Sequence, residues 1–379
     1  MNKKDYYNTI NLQVEDLRTL VDVQTEKCFD RAKLSALMDS SILKGLKRVI
    51  ITGCGDSYSA AGAMKQAFCE HSGLEAVSAP DPMEFCRFYD EREMLKGNAP
   101  EEVLVIAVSA SGGSDRIVEI LMKAGEFGTG SMLISNNPQS KGAKAAKYMY
   151  HVETPEGCNS PGLRSYFASM IAITALGAYI GVEQGHITQE RFDEIRTGIV
   201  TYTKSFMEQY ACMDDQIFAL GETWKDYGKF EVIGDCSQHA SAQFVEEKLI
   251  ECAGVYAAHA DSEDWCHINF FLREPETIGT IFQAPVDGPG FDRMLYTIRS
   301  AAGVGRPVLV VTDAAEDVFP EGVTVCRTPK APELWMSPLM EFIPGSLMGG
   351  YVAALQDKLF FTGRYDFRTQ TWKVQKGGA

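Results

Sequence analysis

The stretch Lys47-Arg48-Val49-Ile50-Ile51-Thr52-Gly53-Cys54-Gly55-Asp56-Ser57-Tyr58-Ser59 decides the fold. Its apolar, β-branched run does not alternate with polar residues, so it predicts a strand covered on both faces, as in a parallel sheet. The glycines end that strand, and the hydroxyl residues that follow open a helix. Further apolar runs at Glu75–Ser78, Val103–Val108, Met132–Ser135 and Tyr148–Val152 alternate with helical segments. Such alternation reads as an α/β fold with a parallel sheet wrapped by helices.

Upstream, Asp5 to Leu43 has helical spacing and many charges, which predicts an N-terminal helical arm. Downstream come long helical patterns over Arg164–Gly181 and Thr188–Leu220, and the alternation restarts at Phe230-Glu231-Val232-Ile233-Gly234. The later strand candidates are Gly254–Ala258, Thr277–Phe282, Val308–Thr312 and Val323–Cys326, with a helix over Asp292–Ala302 between them. The chain thus reads as two related α/β units in tandem. The expected divisions are 1–44 for the arm, 45–200 and 201–345 for the two domains, and 346–379 for a helix end and tail. Trp372-Lys373-Val374 in that tail suggests docking rather than fraying.

A chain of 379 residues with 45% hydrophobic and 23% charged residues has material for two cores, and it is neither disordered nor fibrous. Its net charge of −15 disfavours a nucleic-acid partner. Ten cysteines without a C-x-x-C pair fit reduced thiols, and the N-terminus lacks the apolar stretch of a signal peptide, so the expected location is the cytoplasm. The uncharged run between Arg164 and Glu183 contains Ser165, Ser169 and Thr174, which favours a buried helix over a membrane span.

Two strand ends carry small, hydroxyl-rich loops: Gly53-Cys54-Gly55-Asp56-Ser57 and Ser109-Ala110-Ser111-Gly112-Gly113-Ser114. Glycines admit close backbone approach, helix N-termini present free N–H groups, and serines add donors, so the pair suits an anion. Either loop alone is also ordinary turn and N-cap sequence. A dinucleotide fits poorly, because Tyr58 replaces the third glycine of G-x-G-x-x-G and Asp56 puts a negative charge in the turn. No P-loop is present. In the second half, Glu251 near a helix end and His267 form a workable acid/base pair. Taken bare, the first is a charge on a solvated helix face and the second a satisfied, partly buried histidine. His259, Cys266 and His267 lack the spacing of a structural zinc site, so no metal and no cofactor are expected.

The paired loops resemble the phosphate loops of the sugar isomerase (SIS) domain. The segment from Phe230 through Phe271 resembles the second SIS domain of the isomerase half of glucosamine-6-phosphate synthase and of fructoselysine-6-phosphate deglycases. In those families a catalytic Glu is followed sixteen positions later by a catalytic His, and Glu251 and His267 keep that interval. The resemblance implies two tandem three-layer αβα domains. Ser57, Ser109, Ser111, Ser114 and Gly113 would hold a C6 anion, with Gly55 and Asp56 near the sugar. Glu251 would shuttle a proton between C1 and C2, His267 would assist ring opening from a neighbouring subunit of a homodimer, and Lys373 would cover or polarise the sugar. The expected substrate is a sugar phosphate or related anionic sugar, with no nucleic-acid or membrane partner. The expected reaction is aldose–ketose isomerisation; a ketosamine-phosphate deglycase and a non-catalytic sugar-phosphate sensor are the alternatives. Two departures stand out: the families' His-Gly-Pro is here His267-Ile268-Asn269, and the Gln between the loop serines is Ala110. They imply another path for the His loop and one amide donor fewer at the anion, and they admit a sulfonate in place of phosphate.

Overall fold

The computed structural model describes residues 9–157, 161–358 and 360. They divide into two compact units, one comprising Thr19–Glu156 and Arg164–Thr201, the other the remaining described residues. The described residues begin with three helices, α1 (Thr9–Cys28), α2 (Arg31–Leu37) and α3 (Ser40–Gly45), where helical spacing predicted them. The first unit then builds a sheet from β1 (Arg48–Gly53), β2 (Ala76–Ser78), β3 (Val103–Val108), β4 (Gly130–Ser135) and β5 (Tyr148–His151). Its order is β2-β1-β3-β4-β5 and every pairing is parallel. All six residues of β1 and all six of β3 are buried, as their unbroken apolar runs require of central strands covered on both faces.

Helices α4 (Asp56–Ser72), α5 (Pro82–Phe88), α6 (Glu91–Leu95), α7 (Asp115–Glu126) and α8 (Lys141–Ala145) link these strands. The edge strand β5 is tied to the end of α1: Tyr150 donates its hydroxyl to the Cys28 carbonyl at 2.7 Å, and Gln24 donates to the Val152 carbonyl at 2.8 Å. Two long helices follow, α9 (Leu163–Gln184) and α10 (Gln189–Trp224). α9 is long and apolar enough to cross a membrane, yet 89% of its most apolar window is buried against protein.

The second unit repeats the design. Strands β6 (Lys229–Gly234), β7 (Tyr256–Ala260), β8 (Ile278–Gln283), β9 (Val308–Thr312) and β10 (Thr324–Arg327) form a parallel sheet of order β10-β9-β8-β6-β7. Read from the other edge, this is the order of the first sheet. Helices α11 (Ser237–Ala253), α12 (Ser262–His267), α13 (Phe291–Gly303) and α14 (Pro338–Leu355) accompany it. α11 and α14 pack through Phe244 and Phe342, whose rings meet edge-on at 5.3 Å, a pair worth about 0.5–1.5 kcal/mol beyond its buried area.

The two units also share a turn. A Cβ on Gly53 would lie 2.8 Å from the backbone carbon of Ser57, and one on Gly234 would lie 2.4 Å from the Gln238 carbonyl oxygen, so both strand ends need glycine. The residue before each 17-residue helix takes nearly the same positive-φ conformation: Gly55 at φ 55°, ψ −133°, and Cys236 at φ 54°, ψ −119°. Glycine adopts it freely, whereas cysteine pays for a strained backbone. Cys236→Gly is therefore expected to stabilise the fold by about 1 kcal/mol, the strain relieved less the extra chain entropy of glycine. A urea titration that shows no gain would mean that the turn relaxes around cysteine.

Glu341 on α14 is 2% exposed. Burial pushes its carboxyl up to about 8, against the hydrogen bond from Gln238 at 3.1 Å, with the charge of Asp313 acting in the same direction as burial. The folded protein then holds a proton here that the unfolded chain releases near the usual carboxylate range. Stability from this group is fully present at low pH and falls as pH rises from about 4.5 towards 8, by up to about 1.4 kcal/mol per pH unit. Glu341→Gln should flatten that slope, which urea unfolding at a series of pH values reads directly; an unchanged slope would assign it to other groups.

Candidate active site

β1 and β3 are neighbours, with Gly53 opposite Val108 at their ends. The loops that follow therefore open side by side at the C-terminal edge of the first sheet, where successive connections turn to opposite sides and α/β folds bind ligands. The exposed Gly55 precedes α4, and Asp56 and Ser57 occupy its first turn, half-buried. In the other loop, Ser109 is 8% exposed and its Oγ accepts the Gly112 N–H at 3.1 Å. Ser111 Oγ accepts the Gly113 N–H at 3.3 Å, and Ser114 caps α7 by accepting the Arg116 N–H at 3.3 Å. The Gly112 carbonyl accepts the Gly142 N–H at 2.9 Å, and the Ala110 carbonyl accepts both the Asn136 N–H at 3.2 Å and the Ser135 hydroxyl at 3.1 Å. Gly112 lies at φ 61°, and a Cβ there would stand 2.3 Å from Ser140 Oγ.

The serine loop is thus shaped by its own hydrogen bonds. It brings Ser109, Ser111, Gly113 and Ser114 to the start of a 12-residue helix, beside Gly55, Asp56 and Ser57 at the start of a 17-residue one. Two helix N-termini and several hydroxyls give a place where an anion can be held with no cluster of lysines. Positive charge is still near: burial pushes the half-buried Cys54 thiol up with Arg116 acting against it, and Lys141 pairs with Asp115 at 3.2 Å.

In the second unit, Glu251 lies in the last turn of α11 with its side chain 33% exposed. One turn before it, the wholly buried ammonium of Lys248 contacts Glu251 Oε2 at 2.5 Å and sits 4.8 Å from the centre of the Phe244 ring. This ion pair fixes the carboxylate at the helix end. Lys248 was not among the residues expected from the sequence, although its i, i+3 spacing from Glu251 is a usable signal. His267 ends α12, whose N-terminus is capped by Asp261 through the Asp264 N–H at 2.7 Å. It is not the partly buried histidine of the bare reading: its side chain is 67% exposed, and its Nε2 lies 2.8 Å from Glu263 Oε1. Glu263 in turn holds Arg293 at 2.7 Å. Lys373 lies outside the described residues.

The fold also brings together a cluster that sequence spacing does not reveal. The rings of His239 and His259 lie 4.8 Å apart, tilted at 59°, and His259 Nδ1 pairs with Glu246. Burial, then the neighbouring His259, holds His239 below the ordinary histidine value. Among the described residues, no group of three or more His, Cys, Asp or Glu side chains is placed to hold a metal ion.

Comparison with known proteins agrees with this fold. The SIS domain model matches residues 42–179, the segment that carries both hydroxyl loops, and the chain has the fold of two SIS-like α/β domains in tandem. The chain is 24% identical over 327 residues to the glutamine–fructose-6-phosphate aminotransferase (isomerizing) of Streptococcus pneumoniae strain R6, covering 84% of this chain. It spans about half the length of that relative, 51%. Among solved structures, the C-terminal domain of the Francisella tularensis glucosamine-fructose-6-phosphate aminotransferase superposes with a TM-score of 0.80 at 17% identity, covering 96% of this chain and 100% of that one. The Escherichia coli tagatose-6-phosphate ketose/aldose isomerase superposes with a TM-score of 0.70 at 12% identity, covering 95% and 97%.

Proposed function

We propose that this chain catalyses aldose–ketose isomerisation of an open-chain hexose derivative bearing an anion at C6, usually phosphate. The observation that carries the reading is Glu251, fixed at the end of α11 by the buried Lys248 and sixteen positions before His267. A carboxylate held in one place is what repeated proton removal and return at adjacent carbons requires. Glu251 takes the proton next to the carbonyl, the cis-enediol forms, and the same proton or one from water returns to the other carbon. The serine loop and the N-terminus of α4 hold the C6 anion, through Ser57, Ser109, Ser111, Ser114 and the Gly113 N–H, with Gly55 and Asp56 flanking the sugar. In this reading Lys373 borders the sugar from the tail.

His267 works across a dimer. Its exposure, and that of Ile268 at 65% and Phe271 at 73% in the following residues, support a surface that a second copy covers. From there the imidazole exchanges a proton with the ring oxygen and opens the sugar. The test is to mix the protein with 6-phospho and 6-sulfo hexoses and 6-phosphofructosamines and identify products by proton NMR. An isomer supports the proposal. Free amine would mark a deglycase, which shares the first steps, and binding without conversion would mark a sensor.

A further inference from the structure

The loop that bears His267 is pinned from both sides by one buried carboxylate. Glu231, on β6, is 4% exposed. Trp265, two positions before His267 and wholly buried, donates its Nε1–H to Glu231 Oε2 at 2.8 Å. Asn269, two positions after His267, donates its amide to Glu231 Oε1 at 2.9 Å. Arg306, 5% exposed, pairs with Glu231 Oε2 at 3.1 Å, donates to the Asn269 carbonyl at 2.9 Å and lies 5.5 Å from the Trp265 ring centre. Asn269 is thus held at its side chain and its backbone, and it is one of the residues by which this chain departs from His-Gly-Pro.

We propose that Glu231, charge-balanced by Arg306, is a positioning residue that sets the His267 imidazole through the Trp265 and Asn269 tethers. Within one subunit, among the described residues, the exposed imidazole meets only the exposed Glu263, and little else in that subunit packs against it. Its direction therefore comes from the backbone of 265–269, and the two tethers fix that backbone at both ends. The Ile268-to-Leu272 segment beyond is held out by the same anchor: Ile268 has φ −127°, ψ −61°, and a single turn over Asn269–Phe271 follows. This inference rests on the ring-opening role proposed for His267.

The test removes the tethers one at a time, Asn269→Ala and Trp265→Phe, and leaves the Glu231–Arg306 pair in place. Each variant is assayed with fructose 6-phosphate and with 5-deoxyfructose 6-phosphate, which has no hydroxyl with which to close a ring. A mispositioned His267 should cost at least about tenfold in kcat on the cyclising sugar and less than about twofold on the open one, with KM little changed, and His267→Ala should show the same split. In hydrogen exchange, residues 262–272 of Asn269→Ala should exchange at least about tenfold faster while β6 and β8 keep their protection. Equal losses on both sugars, or none on either, would overturn the proposal. If the unsubstituted protein turns over neither sugar, the substrate reading is at fault, and hydrogen exchange decides alone: unchanged protection of 262–272 overturns the anchor.

Discussion

Glu251→Gln is expected to lower turnover by about a hundred- to ten-thousandfold and to leave sugar binding within a few-fold of the unsubstituted protein. The change keeps the shape of the side chain and removes its capacity to accept a proton. In the proposed reading the C6 anion is bound by Ser109 to Ser114, residues that the substitution leaves unchanged. The buried Lys248 loses the carboxylate that faces it, so some loss of stability accompanies the change, and urea unfolding separates that loss from the kinetic one. Activity within tenfold of the unsubstituted protein would remove Glu251 from the mechanism.

Arg306→Ala is expected to destabilise the second unit by about 3–5 kcal/mol, because it strands the Glu231 carboxylate in the core. The Arg306 guanidinium is held below its usual value by burial, with Glu231 acting in the opposite direction, so the desolvation of the pair is already large. Replacing both partners together, Glu231→Met with Arg306→Leu, should recover part of the loss, since no charge is left unpaired although the Trp265 N–H and the Asn269 amide lose their acceptor. Urea denaturation of the single and double variants reads the difference; a single variant within 1 kcal/mol of the parent would show that water reaches Glu231 once the arginine is gone.

All ten strands among the described residues stood in the sequence as short β-rich runs, most plainly the central ones, whose cover on both faces leaves a continuous apolar signature: Val103–Val108 is one. The restart at Phe230 also held, and it yields the same strand order in both sheets. The hydroxyl loops were legible because glycine and serine at strand ends mark close backbone approach, and β1 and β3 do bring them side by side. Other parts of the site were not legible. Glu231 sits in the middle of a strand, where an acidic residue reads as one facing solvent, and its partner Arg306 is 75 positions away. Nothing local announces that Trp265 and Asn269 meet on one carboxylate. The exposure of His267 likewise follows from where a short helix ends, which spacing alone does not fix.

The most direct measurement is proton NMR of fructose 6-phosphate and its C6-anion analogues in D2O with the full chain and with its Glu251→Gln variant. The account predicts deuterium at C1 or C2 of at least one sugar with the unsubstituted chain, and none above background with the variant. A sugar that binds yet keeps every carbon-bound proton, or one that exchanges equally well with Glu251→Gln, would contradict it.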